Sequence, residues 1–387
     1  MHGWIAGMLE GLRFGKAERC GSVWLVPLGR PGEGGEGQGH GKGPGYRPMP
    51  EAMARGELLV TEVPPAGEVS RVHVQNRGEL PVLMLEGEEW SGGKQNRVMT
   101  TSVMLASGAD ARVAVACSEP GRWHYHGAGT GPALGDSGAV APIGLRREMR
   151  LARGVGAAGE PDQDAIQAAA WRGLEGWRAR MGTGRTLAEW QAQEASRWDA
   201  AEQRVAWVPG QVGWLVAVDG EWVALEVVSR PAAWRRWHGK MLRGVLAPWP
   251  WAGPSKVGGG GTGSCQNSAG MGSRGGPKGW VHPGNGKPDS WRGLDAMAAD
   301  EVGSEEWGRR ARAVMHDLAR VPGTASRATG EGQMEEHVSS HWVGAALMQA
   351  GEVLHGGWQR VDVAAALDRV EAREPVQEPA GMVSALR

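Results

Sequence analysis

The chain has 387 residues, enough for one large or two ordinary domains with hydrophobic cores of their own. Its 42 basic and 43 acidic residues give a formal net charge of −1, so no global charge favours binding to nucleic acid or to an anionic membrane. No segment approaches the roughly 18 consecutive apolar residues of a membrane span, and the N-terminal sequence is a poor secretory signal.

The aromatic and cysteine content is unusual. Tryptophan occurs 20 times, whereas tyrosine occurs twice and phenylalanine once, and glycine occurs 64 times. The three cysteines, Cys20, Cys117 and Cys265, are far apart and odd in number, which predicts neither a disulfide framework nor a zinc site. We therefore expect a cytoplasmic protein, in which Cys117 is a small buried hydrophobe rather than a nucleophile.

The first part of the chain is predicted to be rich in β-strands. An apolar run from Val23 to Leu28 precedes a Gly-rich loop at residues 31–45. Further strand-like runs separated by turn residues lie at Leu58–Val63, Val69–Gln75, Pro81–Leu85, Val98–Leu105 and Ala111–Cys117. Their spacing predicts a sandwich or a barrel-like sheet.

The hydrophobic period changes to that of a helix in the middle of the chain. Apolar residues from Ile166 to Trp177 recur at helical spacing, and a polar helical stretch covers residues 187–204. Two strand-like runs, Trp214–Val218 and Trp222–Val228, are joined by Asp-Gly and predict a β-hairpin. Pro231 stands where the first turn of a following helix tolerates proline.

The last third begins with a segment that has no hydrophobic periodicity. Residues 252–290 mix Gly, Ser, Pro and Asn and predict a flexible insertion. A helical face around Trp307, an apolar segment at Val343–Leu354 and a short helix at Val363–Ala372 follow it.

These patterns predict an α+β fold with a β-sandwich-like N-terminal half and a helical and hairpin-containing C-terminal half. The predicted regions are a β-rich region at 1–160, helices plus a hairpin at 161–251, the insertion at 252–290, a helical or α+β completion at 291–372 and a polar tail at 373–387.

Two polar segments stand out among the predicted strands: GEEWSGGKQNR at residues 87–97 and CSEPGRWHYH at residues 117–126. Arginine and lysine supply fixed positive charge for a phosphate, and the two amides supply donors and acceptors for a ribose or a base. The predicted ligand-binding residues are Lys94, Gln95, Asn96, Arg97, Glu119, Arg122 and Trp123.

The carboxylates of these segments are candidates for general acid or base catalysis. Glu88 and Glu119 are the predicted catalytic residues, and Glu86 and Glu89 are further acceptors. Trp90, like Trp123, offers a face on which a base stacks. A structural role stays open, because buried Arg–Glu pairs and amides that satisfy irregular turns need the same residue types.

No metal site and no cofactor is predicted. His124 and His126 beside a carboxylate match a two-His, one-carboxylate site, but an exposed loop is the preferred interpretation. His337 and His341 have the i, i+4 spacing of a solvated helix face, and the HExxH arrangement is not present. His355 is interpreted as a structural histidine.

The runs VQNRGELPVLMLEGEEWSGGKQNRVMTTSVML and VAVACSEPGRW resemble the signature of the ADP-ribosylglycohydrolase and rhodanese-phosphatase-superfamily-associated protein domain, a largely uncharacterised family. PMPEAMARGELLVTEV, GWLVAVDGEWVALEV and GAALMQAGEVLH extend the resemblance over most of the chain. By association only, the resemblance implies a bacterial protein near nucleotide or ADP-ribose metabolism, in stress or defence.

Three functions remain open from the sequence. The first is a module that binds a small anionic ligand such as a nucleotide or ADP-ribose derivative, and the second is a hydrolase of such a compound. The third is a scaffold that assembles through helical faces at Trp234, Trp237 and Trp307, although such stripes are usually buried. No nucleic acid or membrane partner is expected, and the oligomeric state is left open.

Overall fold

The computed structural model describes residues 7–9, 11–21, 23–30, 45–65, 67–119, 121–125, 131–153, 161–181, 186–218, 221–247, 304–321, 323–339 and 341–361. The predicted insertion, the helix at Val363–Ala372 and His126 lie outside them, as do the Asp-Gly turn and nearly all of the loop at 31–45.

The strands, in chain order, are β1 (Arg13–Phe14), β2 (Glu18–Cys20), β3 (Val23–Gly29), β4 (Arg47–Pro48), β5 (Leu58–Glu62), β6 (Arg71–Asn76), β7 (Val82–Met84), β8 (Glu88–Gly92), β9 (Arg97–Met99), β10 (Val103–Leu105), β11 (Asp110–Cys117), β12 (Ala133–Val140), β13 (Gln211–Val218), β14 (Glu221–Val228), β15 (Gly323–Arg327), β16 (Gln333–Val338), β17 (Trp342–Gln349) and β18 (Glu352–Arg360). The helices are α1 (Met49–Ala54), α2 (Ile143–Leu151), α3 (Gln163–Met181), α4 (Leu187–Gln193), α5 (Ala195–Arg204), α6 (Pro231–Leu246) and α7 (Ser304–Leu318). The mixed α+β class is confirmed.

Six strands of the N-terminal half close into a barrel in the order β11-β6-β5-β12-β8-β9. Every second residue of β5 and β6 is buried, which matches the period-2 pattern of their sequences. Val60, Val72, Val113 and Trp90 belong to one buried apolar cluster with other barrel residues. Of the two predicted arrangements, the strands therefore adopt the barrel rather than the sandwich. A small sheet, β10-β7-β4, contributes to the same cluster.

A nine-stranded antiparallel sheet forms the second β-structure, in the order β1-β3-β13-β14-β18-β17-β16-β15, with β2 on β3. The predicted hairpin is its β13–β14 pair. Strand β3 from the first 30 residues pairs with β13, more than 180 residues later in the chain. The sheet thus takes strands from both ends of the described chain.

Tryptophan fills much of the core on both faces of the large sheet. One apolar cluster joins helices α2 to α6 to the sheet and to the barrel, and it contains the fully buried Trp234 and Trp237. The other cluster places α7 on the opposite face through Trp307, which stacks on Trp24 with ring centroids 5.0 Å apart. Trp234, Trp237 and Trp307, the tryptophans of the helical faces considered for assembly, are thus part of the core.

Three local predictions differ from the structure. His337 lies on strand β16 and His341 just before β17, so the two histidines do not share a helix face. The stretch at 187–204 is two helices, because α4 ends at Gln193 and α5 begins at Ala195. Cys20 is disulfide-bonded, so the prediction of no disulfide is wrong for this residue.

Other local predictions hold. Cys117 is free and buried, and Pro231 occupies the first turn of α6. No helix among the described residues is long and apolar enough to cross a membrane.

Candidate functional site

The two polar segments meet at one end of the barrel. Arg97 on β9 is paired in register with Cys117 on β11 and with Trp90 on β8, so these three side chains share a face. Beyond the strands, the backbone N–H of Ser118 donates to the carbonyl oxygen of Asn96 at 3.0 Å. The predicted ligand-binding residues of both segments are therefore neighbours.

Arg97 is wholly buried and forms an ion pair with Glu62, with an N–O distance of 3.3 Å. Its guanidinium also donates to Gln95 Oε1 and to Cys117 Sγ, both at 3.2 Å. Glu62 Oε1 in turn accepts the backbone N–H of Lys94 at 2.7 Å. Arg97 is therefore enclosed, and its two terminal nitrogens bind Glu62, Gln95 and Cys117 at this end of the barrel.

Arg122 ties the second segment to the first. It forms a 2.6 Å ion pair with Glu119, and it donates to the carbonyl oxygens of Gly93 and His124 at 3.0 Å. Glu119 also accepts the backbone N–H of Asn96 at 3.3 Å. Arg122 is buried, and most of its hydrogen bonds are donated to carbonyl oxygens of the loop.

Exposed Trp123 and Tyr125 and the partly buried Lys94 form the outer part of the site, which we call the aromatic platform. Trp123 and Tyr125 are 41% and 36% exposed, unusual values for large aromatic side chains. The Lys94 ammonium lies 5.1 Å from the Trp123 ring centroid and 5.9 Å from that of Tyr125. The Arg97 guanidinium carbon lies 5.4 Å from the same Trp123 ring. Two cations and two aromatic rings thus combine at this surface.

A comparison with protein-family models places this geometry in a family. The model of the ARG and Rhodanese-Phosphatase-superfamily-associated Protein domain, ARPP-1, matches residues 11–252, more than half of the chain. The chain belongs to the ARPP-1 family. Neither the curated proteins nor the solved structures that were compared give a match. The matched range of the ARPP-1 domain contains the whole barrel and both polar segments, and β15 to β18 follow it.

Glu88, one of the two predicted catalytic residues of the ARPP-1 domain, contacts helix α6 instead of the platform. Its Oε1 accepts from Lys240 Nζ at 3.0 Å and from Trp237 Nε1 at 2.9 Å. Burial raises the pKa of Glu88, although Lys240 opposes this effect. The predicted acceptor Glu86 also contacts another part of the protein, because both of its carboxylate oxygens accept hydrogen bonds from Arg150.

Glu89, the residue after Glu88, has a pKa near neutrality. Burial raises its pKa to about 7, against the hydroxyl groups of Ser118 and Ser137, which favour the ionised form. The Ser118 hydroxyl donates to Oε1 at 2.6 Å. Among the described residues no hydrogen bond of normal geometry reaches Oε2.

Sequence reasoning missed a hydrogen-bonded Ser–His–Glu series between the barrel and the large sheet. Ser102 Oγ lies 2.7 Å from His355 Nδ1, and His355 Nε2 lies 3.0 Å from Glu226 Oε1. Burial alone would raise the pKa of Glu226, but Arg146, His355 and Arg150 lower it to about 2. All three members are at most 2% exposed, and their hydrogen bonds link the two β-structures.

Other missed residues belong to the platform end. Glu62 is the next-to-last residue of the predicted strand Leu58–Val63, and this position gave no sign that it pairs with Arg97. Tyr125 lies within the second segment, and its exposure is the signal that adds it. Among the described residues, no three His, Cys, Asp or Glu side chains are arranged to hold a metal ion.

Proposed function

We propose that this ARPP-1 protein binds a small anionic, nucleotide-like ligand on the aromatic platform, with ADP-ribose as a candidate. The observation that carries the proposal is the partly exposed Trp123 and Tyr125 beside the Lys94 ammonium, where the two polar segments meet. A planar base stacks on an aromatic ring for about 1–3 kcal/mol, and an ammonium group is a suitable contact for a phosphate.

The proposal divides the predicted ligand-binding residues into two groups. Lys94 and Trp123 contact the ligand, because Trp123 is exposed and Lys94 is only partly buried beside it. The remaining predicted residues hold the platform in place through the buried network, and these are Gln95, Asn96, Arg97, Glu119 and Arg122. Arg97 adds positive potential behind the Trp123 ring.

Ligand-induced thermal stabilisation tests this proposal, with ADP-ribose, AMP and inorganic pyrophosphate as probes. A ligand present at about 100 times its Kd stabilises the folded protein by about 2.7 kcal/mol. We expect ADP-ribose to raise the Tm of the wild type, and Trp123→Ala and Lys94→Ala to lose that rise while they keep the unliganded Tm.

The chain offers a matched control for each variant. Trp171 on α3 is 38% exposed, and Lys16 is exposed between β1 and β2, so Trp171→Ala and Lys16→Ala should keep the response to ligand. No Tm rise with any probe, or an equal loss in the controls, would overturn the proposal. Arg97→Ala is not suitable, because it leaves the buried Glu62 without its cation and costs about 3–5 kcal/mol of stability.

A hydrolase that cleaves such a ligand is the second candidate. It is favoured by Glu89, a carboxyl group with a pKa of about 7 and one oxygen without a partner in the described structure. Turnover of ADP-ribose that disappears in Glu89→Gln, while the Tm rise persists, is the expected result. Ligand binding without turnover by the wild type would remove this candidate and leave the binding proposal intact.

A further inference from the structure

Strand β15 is an open edge of the large sheet within the part of the chain that the structure describes. Among the described strands it pairs only with β16, and its residues from Thr324 to Arg327 are all exposed, on both faces. An edge strand directs alternate backbone N–H and C=O groups away from its sheet, and proteins usually block such edges with lysine, proline, a bulge or a very short strand. β15 has no lysine and no proline, and its register with β16 is unbroken over five pairs.

The opposite edge of the same sheet is blocked by its shortness. There β1 has two residues and β2 has three, so little backbone is open to pairing. β15 is therefore the longer open edge among the described strands of this sheet.

Two charges of opposite sign lie at this edge. Arg327 is exposed and makes no ion pair within the described part of the chain. Glu335 on β16 is only 7% exposed, and its nearest described charged partner is His337 at 3.9 Å. The Glu335 carboxylate leans over Gly323, where it occupies the space that a Cβ atom would need. A largely buried carboxylate whose described charged neighbour is 3.9 Å away would be stabilised by a closer cation.

We propose that two copies of this chain pair antiparallel through β15 and join their nine-stranded sheets into one continuous sheet. Centred on Ala325, this pairing places Thr324 opposite Ser326 and Arg327 opposite Gly323 of the second copy. Directly opposite residues point to the same face, and Gly323, Ala325 and Arg327 share the face of Glu335. Each Arg327 then reaches the Glu335 of the other copy.

The side chains at the centre of this pair suit close approach. Gly323, Ala325 and Ser326 are small, and Thr–Ser pairs across strands hydrogen-bond. The two Arg327 side chains lie at opposite ends, so no like charges face each other. Five residues from each copy make a small interface, so the dimer is expected to dissociate on dilution.

Sedimentation velocity on the full chain tests the pairing from about 1 μM to about 500 μM, a range suited to small interfaces. We expect the wild type to pass from 41.0 kDa to twice that mass as the concentration rises. Ala325→Lys places two like charges directly opposite each other, and Arg327→Glu places a carboxylate against Glu335. Each should raise the dissociation constant at least tenfold, without a change in Tm because both side chains are exposed.

A charge-pairing experiment separates this interface from any other. Ala325→Lys and Ala325→Glu should each be monomeric alone and should form a heterodimer when mixed in equal amounts. Ala313→Lys, at an exposed position on α7, is the matched control and should dimerise like the wild type. A wild type that stays monomeric at every concentration, or a dimer that persists unchanged in Ala325→Lys and Arg327→Glu, would overturn the proposal.

Discussion

Glu89 is fully buried, and its surroundings favour the neutral form of the carboxyl group. It accepts one short hydrogen bond from Ser118, and its second oxygen has no partner of normal geometry among the described residues. In the folded protein the charged carboxylate would be removed from water and lie in a weakly polar environment. This desolvation cost raises the pKa of Glu89 from an ordinary value of 4.5 to about 7. Folding therefore favours the protonated carboxyl group.

This preference predicts that Glu89 makes the protein less stable as the pH rises. Its folded-state pKa lies above its unfolded-state pKa, so its contribution is fully present below about pH 4.5 and is lost as the pH rises through 7. Between pH 5.5 and pH 8.5 the loss is about 2 kcal/mol. Glu89→Gln, which stays neutral, should remove that part of the pH dependence of the free energy of unfolding, as measured by urea denaturation at both pH values.

The control for this measurement is Glu68→Gln. Glu68 lies at the surface in an ion pair with the exposed Arg112, so its replacement should leave the pH dependence close to that of the wild type. An identical slope in the wild type and in Glu89→Gln would contradict the assignment of the titration to Glu89.

The residue types of the candidate site were predictable, but their roles were not. KQNR and EPGRW identified residues that come together in space, as Gln95 and Glu119 show through a 3.0 Å hydrogen bond. Arginine, glutamate and amides serve equally in a ligand site and in a buried brace, and burial depends on distant strands. The sequence therefore predicted Arg97 as a ligand contact, whereas in the structure it forms an ion pair with Glu62.

At the scale of elements, Lys240 links helix α6 to two strands of the barrel. Lys240 Nζ lies 3.0 Å from Glu88 on β8 and 2.6 Å from Asp136 on β12. Burial opposes the charged form of Lys240, but the two carboxylates outweigh it and raise its pKa. Gly244 on the same helix lets α6 approach β12, since a Cβ atom there would lie 2.5 Å from Val140 Cγ1.

We predict that Lys240→Met destabilises the protein by about 3–5 kcal/mol, because it leaves the buried Glu88 without a cation. Chemical denaturation measures the loss. The double variant Lys240→Met, Glu88→Leu should recover part of it, since the uncompensated charge is then removed as well. Arg236→Met, on the exposed side of α6, is the control and should cost less than about 1 kcal/mol. A double variant no more stable than Lys240→Met would show that packing, not charge, sets the loss.

Elements with strong local signals were predicted and those without them were not. The β13–β14 hairpin follows from two apolar runs around an Asp-Gly turn. The pairing of β15 to β18 does not, because apolar and small residues such as Val343 to Leu347 suit a buried helix and a buried strand alike. His337 shows that an i, i+4 spacing alone does not establish a helix, because it lies on strand β16.

For the whole molecule, the decisive contacts join residues that are far apart in the sequence. Strand β3 pairs with β13, and His355 on β18 reaches Ser102 next to the barrel. Tertiary packing decides such pairings, and no local pattern encodes their register. The α+β class was therefore predictable from the sequence, whereas the sheet order was not.

Helix α2 connects the barrel to the large sheet through Arg150. The guanidinium holds both oxygens of Glu86 at 2.7 Å, and it donates to Gln359 Oε1 at 2.7 Å and to the carbonyl oxygen of Gly357 on β18. A Cβ atom at residue 357 would lie 2.9 Å from the guanidinium, so glycine there leaves room for Arg150. The planar guanidinium of Arg150 thus binds both Glu86, which precedes barrel strand β8, and residues of β18 in the large sheet.

We predict that Arg150→Met loosens the large sheet from the barrel. The change leaves the Glu86 carboxylate buried without its cation, so we expect a loss of about 3–5 kcal/mol in urea denaturation. Hydrogen exchange should show β18 amides losing protection before barrel amides, because the link through Gln359 is broken. In the double variant with Glu86→Gln the two losses should be far from additive, since the residues interact directly. Additive losses, or β18 and barrel amides that still exchange together, would mean that apolar packing alone holds the two structures.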